Sequence, residues 1–578
     1  MLFHKKSILI LVFIGLITYA NSVFNGFVGD DHIVIVDNPF YSSWDNIPRL
    51  VQKSYISTSH STDFNRKDWG SGSVSYRPVL SATYFLDRAF WKLNPFGYHL
   101  HNLVLHLANS LLVYALIMIM IQLRGVAFLT ASLFCVHPIH SEAVCNIGYR
   151  ADLLSLFFVL LSFLLFTRYP TCDGNKRKLF YGLSLAAFFL SLFAKESAIT
   201  LPIIFLSYDY YFRRGLLKTQ KWFYIGYLLV AIFYLYVYFL VFPNSALNSP
   251  LIPDQGIFVN LSVILMSWAG YVYAIFNPFV ITSLPPFYMP FLNFLVMGPS
   301  ILFYSLMILF ISFISLIVKY FYKNKFTSFF MLWFIVFFIP ISNVIPLTNP
   351  FAHRFVYLPS IGIFAALAFG FWQVYSKYFK ESFKIILNTF IIGLCMALTL
   401  SVNSLWHSNY TIASGWVKNF PDHPAGYFIL GLEHLKVDKF SDAAKSFKTC
   451  LKLKEKNPQA YHSLGLAYRA PYFLGLCNRD DFQETVNYFK EAINANPFFT
   501  AAYVHLSQQY MTAGKSDQAI FYLKKGIQIM PNNLTLYERL IQIYSSLNRA
   551  QEAQLVLNAA QNSIQNIDAL RYLKAMIK

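Results

Sequence analysis

The sequence predicts an all-α protein in two parts: a polytopic membrane domain of about eleven spans, then a soluble solenoid of paired helices. Three observations carry this. The 578 residues are 56% apolar and only 13% charged, where a soluble domain is roughly half apolar and a quarter charged, so a soluble globular enzyme is excluded. Apolar runs near twenty residues recur between residues 7 and 402, each long enough for a hydrocarbon core of ~30 Å. Beyond residue 403 these runs stop, and a polar, helix-patterned and periodic sequence continues to Lys578.

The formal net charge is +19. Its basic residues concentrate in short segments between apolar runs, which is the pattern of membrane orientation, and no nucleic-acid partner is expected. Six cysteines without a C-x-x-C pair are too sparse for a disulfide framework. Lys5 and Lys6 ahead of the apolar run 7–20 suit either a signal peptide or a first membrane helix. An uncleaved helix is expected, because it would hold the acidic pair just beyond it at the membrane surface.

The expected spans are 7–24, 100–122, 126–142, 151–167, 179–194, 198–212, 222–242, 293–318, 326–341, 356–375 and 384–402. Segment 257–276 is ambiguous, and charge decides it. If it does not cross, seventeen Lys and Arg fall in short loops on one side, against Arg150, Lys195 and Arg354 on the other; the long loop 25–99 is exempt from the rule. The N-terminus is then cytoplasmic and the C-terminal part extracytoplasmic. Segment 257–276 becomes a re-entrant or interfacial element, flanked by Pro243, Pro250, Pro253, Pro278, Pro285, Pro286 and Pro290.

From Pro424 several offsets repeat together. Tyr427, Tyr461, Tyr503 and Tyr537 keep step with Gly431, Gly465, Ser507 and Ile541, and with His434, Tyr468, Tyr510 and Tyr544. Ala443, Thr485, Ala519 and Ala553 precede Phe447, Phe489, Leu523 and Leu557 by four residues, and Cys450, Ala492, Gly526 and Ala560 follow three further on. Pro421, Pro497 and Pro531 end the second helices. This is a tetratricopeptide repeat array of about four units over 424–567, with extra residues near 471–481, a linker at 404–423 and a tail at 568–578. Such an array offers a concave groove for a peptide or partner protein, or else braces the membrane domain or dimerises. A Cys450 to Cys477 bond is open in an oxidising compartment.

Five short stretches carry candidate chemistry. Asp30 and Asp31, just outside the first span, are adjacent carboxylates whose repulsion suits a general base near neutrality, or they form a turn or cap. Arg77-Pro78-Val79-Leu80 opens an amphipathic helix running to Trp91, an active-site wall or a membrane anchor. His137-Pro138-Ile139-His140-Ser141-Glu142 lacks the spacing of a zinc motif and a third ligand; a hydrogen-bonded polar pocket is expected there. Lys195-Glu196 interrupts apolar sequence. Arg354 lies in Phe351-Ala352-His353-Arg354-Phe355-Val356-Tyr357-Leu358-Pro359-Ser360. Cations beside the hydrocarbon suit a lipid phosphate, the alternatives being snorkelling or local pairing such as Lys195 with Glu196.

Taken in order, Gly29-Asp30-Asp31, Arg77-Pro78-Val79-Leu80, Leu93-Asn94-Pro95-Phe96-Gly97-Tyr98-His99-Leu100-His101-Asn102, His137-Pro138-Ile139-His140-Ser141-Glu142-Ala143-Val144, Lys195-Glu196 and Tyr357-Leu358-Pro359-Ser360-Ile361-Gly362, followed by the repeats, resemble the transmembrane and tetratricopeptide repeat O-mannosyltransferases. These belong to the GT-C glycosyltransferase superfamily, and the resemblance is closest to their shorter bacterial members. It implies a GT-C-like domain at 1–403. It also implies an inverting enzyme that moves a sugar, typically mannose, from a polyprenyl (undecaprenyl or dolichyl) phosphate to Ser or Thr hydroxyls of proteins on the extracytoplasmic side. The base is then Asp31 first and Asp30 second. The donor phosphate falls to Arg354, with Arg150 and Lys195 weaker, and the pocket to His137, His140, Glu142, Arg77, His353 and Tyr357. Neither metal nor cofactor is implied. The alternatives are the same chemistry on a lipid or surface glycan, and a non-catalytic membrane scaffold. Where the family usually has Glu before the Arg of the tyrosine-leucine-proline motif, this chain has His353, which bears on which sugar is moved. Four repeats and a compact length favour a bacterial inner membrane over an endoplasmic reticulum.

Overall fold

The structure, a computed structural model, describes residues 5–51, 76–215, 222–241, 257–282, 301–321, 324–344, 347, 351–473, 479–564 and 567–577. The described residues contain helices and no strand. The chain divides into two compact units, Met1–Thr411 and Ile412–Lys578.

The first unit begins with α1 (Lys5–Tyr19), α2 (Pro78–Trp91), α3 (Pro95–Ile121), α4 (Arg124–Val136) and the single turn α5 (Ser141–Cys145). It continues through α6 (Arg150–Arg168), α7 (Gly174–Ala194), α8 (Leu201–Phe212), α9 (Trp222–Tyr236) and α10 (Ile257–Phe276). Then come α11 (Ile301–Phe321), α12 (Lys325–Phe338), α13 (Ser360–Tyr378) and α14 (Glu381–Leu405). Among the described residues, Pro95–Ile121, Ile147–Thr171, Gly174–Ala194, Trp222–Phe239 and Glu381–Leu405 are long and apolar enough to cross a membrane, and Arg124–Val136, Asn260–Phe276 and Lys325–Ile341 are shorter apolar helices.

Local chemistry explains where these helices start and stop. Prolines at the first turns of α2 and α3 need no intrahelical partner for a missing N–H, and the Asn94 side chain accepts from the Phe96 amide at 3.1 Å. The span expected at 126–142 is interrupted: α4 ends at Val136, because Pro138 disfavours helical backbone at His137. A 3-10 turn Pro138–His140 and α5 follow, buried inside the unit. The interrupted form expected for 257–276 is not found. Helix α10 is continuous over 20 residues, about 30 Å of rise, and the break falls after it, at Pro278.

Close backbone approach sets the packing at α12 and α13. A Cβ on Gly362 would lie 2.3 Å from the Phe330 carbonyl oxygen and 2.8 Å from the Phe334 nitrogen, so only glycine admits this crossing. At the other end of the chain order, α1 is tied to α14. Asn403 Nδ2 donates to the Thr18 carbonyl at 3.0 Å, Asn21 Nδ2 to that of Leu400 at 3.0 Å, and the Gly26 amide to that of His407 at 2.9 Å.

The stretch expected as a linker, 404–423, is mostly helical: α15 (Asn409–Asn419) buries Ile412, Ala413 and Trp416. The repeats of the second unit are α16 (Pro424–Lys436) with α17 (Phe440–Leu453), α18 (Pro458–Phe473) with α19 (Arg479–Ala495), α20 (Thr500–Thr512) with α21 (Ser516–Ile529), and α22 (Leu534–Ser546) with α23 (Ala550–Ser563). A Cβ on Gly431 would meet the Phe447 ring at 2.6 Å, which explains why a small residue and an aromatic repeat in step. The extra residues of the second unit lengthen α18 to 16 residues and α19 to 17, against 13 and 14 in the first pair. Residues 474–478, Cys477 among them, lie outside the described residues, and Cys450 is a buried thiol. The stretch expected as a tail is a further helix, α24 (Ile567–Ala575), whose Leu573 is buried and whose Met576 carbonyl accepts from Ser545 Oγ at 3.2 Å. Such an end helix covers the open face of the last repeat.

Candidate active site

The acidic pair sits in the loop after α1, and its two members differ in surroundings. Gly29 holds φ +54°, a left-handed turn that turns successive side chains apart. Asp31 is fully buried. Its Oδ1 accepts the Gly148 amide at 2.6 Å and its Oδ2 accepts the Val28 amide at 3.0 Å. Burial raises its pKa to about 7, against the opposing pull of those two amides. Asp30 is half-buried and lies against the Tyr149 hydroxyl at 3.5 Å. Burial raises it too, and Arg354 and Tyr149 work in the opposite direction.

Tyr149 connects this loop to Arg354. The Arg354 guanidinium lies over the Tyr149 ring, with Cζ 3.7 Å from the centroid, a cation–π contact. Nη1 of Arg354 pairs with Glu142 Oε1, and its backbone amide donates to Glu142 Oε2 at 3.2 Å. Asp30, Tyr149, Arg354 and Glu142 therefore form a continuous chain of contacts, drawn from the loop after α1, the turn Ile147–Tyr149, the turn His353–Val356 and α5.

Lys195 pairs with Asp152 Oδ1 at 2.5 Å and sits 5.1 Å from the centre of the Phe355 ring, the residue after Arg354. Burial lowers the Lys195 pKa, opposed by Asp152. Beside this pair is a recess lined by Asp152, Ser155, Ser197, Phe355, Leu358 and Pro359. Lys195 does not pair with its neighbour Glu196. Arg77 takes Glu196 instead, through Nε at 3.3 Å and Nη2 at 2.8 Å. Burial, which raises the Glu196 carboxyl, is outweighed by Arg77 and Lys195, so its pKa falls below the usual value.

Arg150 is placed differently from Arg354 and Lys195. It is completely buried, pairs with Asp87, and donates to Asn102 Oδ1 at 2.7 Å, Thr83 Oγ1 at 2.9 Å and the Tyr98 carbonyl at 3.0 Å. Its donors are spent on clamping α2 and α3 to the start of α6.

The histidines of the pocket are pins. His137 Nε2 lies 3.1 Å from the Ile275 carbonyl, and its Nδ1 accepts the Ile139 amide at 3.2 Å. His140 bridges the Phe134 carbonyl at 2.7 Å and Ser360 Oγ at 3.0 Å. Tyr357 meets His106 Nδ1 at 2.7 Å and accepts from Asn109 at 3.3 Å. His353 is buried edge-on to the Phe351 ring. Among the described residues, no three His, Cys, Asp or Glu side chains gather as a metal site.

Sequence reasoning missed Tyr149 and the Gly148 amide. Their signal was present in the residues directly before Arg150, but nothing in spacing tells that a turn there folds back on residue 30.

A tetratricopeptide repeat family model matches residues 510–577. Protein O-mannosyl-transferase TMTC3 of Homo sapiens is 25% identical over 605 residues, covering 96% of this chain and 59% of that protein. Protein O-mannosyl-transferase TMTC1 of Homo sapiens is 36% identical over 205 residues, covering 33% and 22%. The chain is thus similar to proteins named protein O-mannosyl-transferases. It spans 59% of the length of the TMTC3 relatives of Homo sapiens and Mus musculus. Among solved structures, the crystal structure of MamA aligns with 29% of this chain and 91% of its own, at 22% identity and a TM-score of 0.23.

Proposed function

We propose that the protein is an integral membrane glycosyltransferase that moves mannose from a polyprenyl phosphate to Ser or Thr hydroxyls of proteins on the extracytoplasmic side. The observation that carries this reading is the meeting of Asp30 with Arg354 across Tyr149: a base and a cation held side by side, as displacement of a phosphate by a hydroxyl requires. The names of the relatives support the sugar and the acceptor class.

Asp30, rather than Asp31, is the base in this reading. Asp31 is committed to two backbone amides and sets the loop, whereas Asp30 is reachable. The acceptor oxygen attacks the anomeric carbon in an oxocarbenium-like transition state, its proton passes to Asp30, and the bond from that carbon to the phosphate oxygen breaks with inversion. Charge developing on the departing phosphate is met by Arg354, with Lys195 beside the recess as second cation; such preorganised charge stabilisation is the largest expected contribution. Glu142 and Asp152 hold the two cations in place. Arg77 orders the Lys195-Glu196 turn by taking Glu196. In this reading the N-terminus is cytoplasmic and an odd number of spans leaves this face and the repeats on the same, outer side, and the repeats present the acceptor.

The test uses the full chain in nanodiscs with polyprenyl phosphate mannose and a pool of exported proteins, read by intact mass and lipid consumption. Transfer by wild type and its loss in Asp30→Asn support the reading. Absence of lipid turnover by wild type, across mannose and a panel of other sugars, overturns it.

A further inference from the structure

We propose that the inner wall of the repeats holds a carboxylate-binding site, built by His462, Arg469, His505, Gln508 and Arg539, that takes an acidic side chain of the acceptor segment. This deepens, and rests on, the reading of the repeats as the acceptor-presenting part.

The first helices of successive pairs adjoin one another along one face. His462 of α18 meets His505 of α20, Nε2 to Nδ1 at 2.6 Å, with rings stacked 4.8 Å apart at 13°. One step along the same two helices, Arg469 Nη1 donates to Gln508 Oε1 at 3.1 Å. Arg539 of the next first helix, α22, acts on His505 through its charge, and it donates to Gln542 Oε1 at 2.8 Å. Three consecutive helices thus bring together two guanidiniums, two imidazoles and two amides, His462 buried and the other five half-buried. The carboxylate on this stretch, Glu538, is taken by the Tyr572 hydroxyl and Gln542 Nε2, each at 3.3 Å. Arg539 forms no ion pair among the described residues.

Burial, with His505 and Arg469 beside it, lowers His462 to about 3, and burial with Arg469 and Arg539 lowers His505 to about 4. The positive charge of the wall therefore resides on the arginines, and the imidazoles remain neutral hydrogen-bonding groups. A planar guanidinium fork with amide and imidazole donors around it matches a carboxylate in both charge and geometry. A lysine-rich or neutral segment gains nothing from this wall.

The experiment measures fluorescence anisotropy of two fluorescein-labelled decapeptides, Ser, Thr and Val in common, one with three Asp and the other with Asn in their places. The receptor is the full chain in nanodiscs, with empty nanodiscs subtracted. The Asp peptide is expected to bind about tenfold more tightly or better. That gap closes in the Arg469→Gln, Arg539→Gln double variant and persists in Lys452→Gln, on the second helix of the first pair. Arg469→Lys with Arg539→Lys, which keeps the charge but not the fork, retains part of the gap, and thereby separates loss of the site from loss of the fold. Equal binding of the two peptides by wild type, binding of neither, or a gap unchanged in the double glutamine variant overturns the proposal. Sugar transfer is not read, so failure of the transferase reading and failure of this site give separate results.

Discussion

Two adjacent carboxylates separate into different roles at the residue scale. Asp30→Asn is expected to reduce transfer by about 10²- to 10⁴-fold, the usual contribution of a general base, with donor binding retained in a lipid-competition assay. Because Asp30 must be ionised to accept a proton and its pKa is raised, the rate should rise with pH through one ionisation above the usual carboxylate range and then level; a pH profile lacking this rise counts against Asp30. Asp31 gives a stability signature instead. Between an unfolded value of about 3.9 and its folded value of about 7, the folded protein holds a proton that the unfolded chain has released. Stability is therefore highest below that window and falls as pH rises through it. Thermal melts of Asp31→Asn across pH 4.5 to 7.5 should show a flatter slope than wild type. The sequence identified both residues and the Arg354 motif, but not which aspartate faces the cation. That depends on the positive φ of Gly29 and on an amide over a hundred positions away, and neither leaves a mark in local spacing.

Helix identity was legible at the scale of elements because apolar runs and first-turn prolines are local signals. Helix ends inside the membrane domain were less so. The Val136 stop and the buried turns after it depend on a proline in an otherwise apolar run, and α15 and α24 are short helices stabilised by neighbours, not by their own length. The Arg150 clamp belongs to this scale as well. Arg150→Ala leaves the buried Asp87 with His101 alone beside it, at 3.0 Å, and should cost about 3–5 kcal/mol, read as loss of folded protein in detergent, since it unfastens α2 and α3 from α6. Gly362→Ala forces a methyl against the backbone of α12 and should destabilise by about 1–3 kcal/mol, detectable as a lower melting temperature. A variant as stable as wild type in either case contradicts the packing described.

For the whole molecule, the proposed function assigns lipid chemistry and acceptor presentation to the two units that divide near residue 411. Ending the chain after Asn419 should abolish glycosylation of protein acceptors while slow consumption of lipid donor persists; loss of both, in a truncated protein that still melts cooperatively, argues against that division of labour. Topology is a separate matter. A cysteine placed at Ser382 should be labelled from the cytoplasmic side only, and one at Lys456 from the outside only. The repeats were readable from several offsets in phase, whereas 257–276 was read from charge as a re-entrant or interfacial element and is a continuous helix of 20 residues.

The ties between α1 and α14 set a timetable for synthesis. Asn403 to Thr18 and Asn21 to Leu400 join residues 385 and 379 positions apart, and the Gly29 amide reaches Asn409 Oδ1 across 380. Contacts so distant in sequence form last and carry the greatest loop-closure cost. A nascent chain has its acidic pair from the first seconds of synthesis, but lacks the anchor that positions it until the last helix of the membrane unit is inserted. In the proposed reading, sugar transfer is thereby withheld from every incomplete chain.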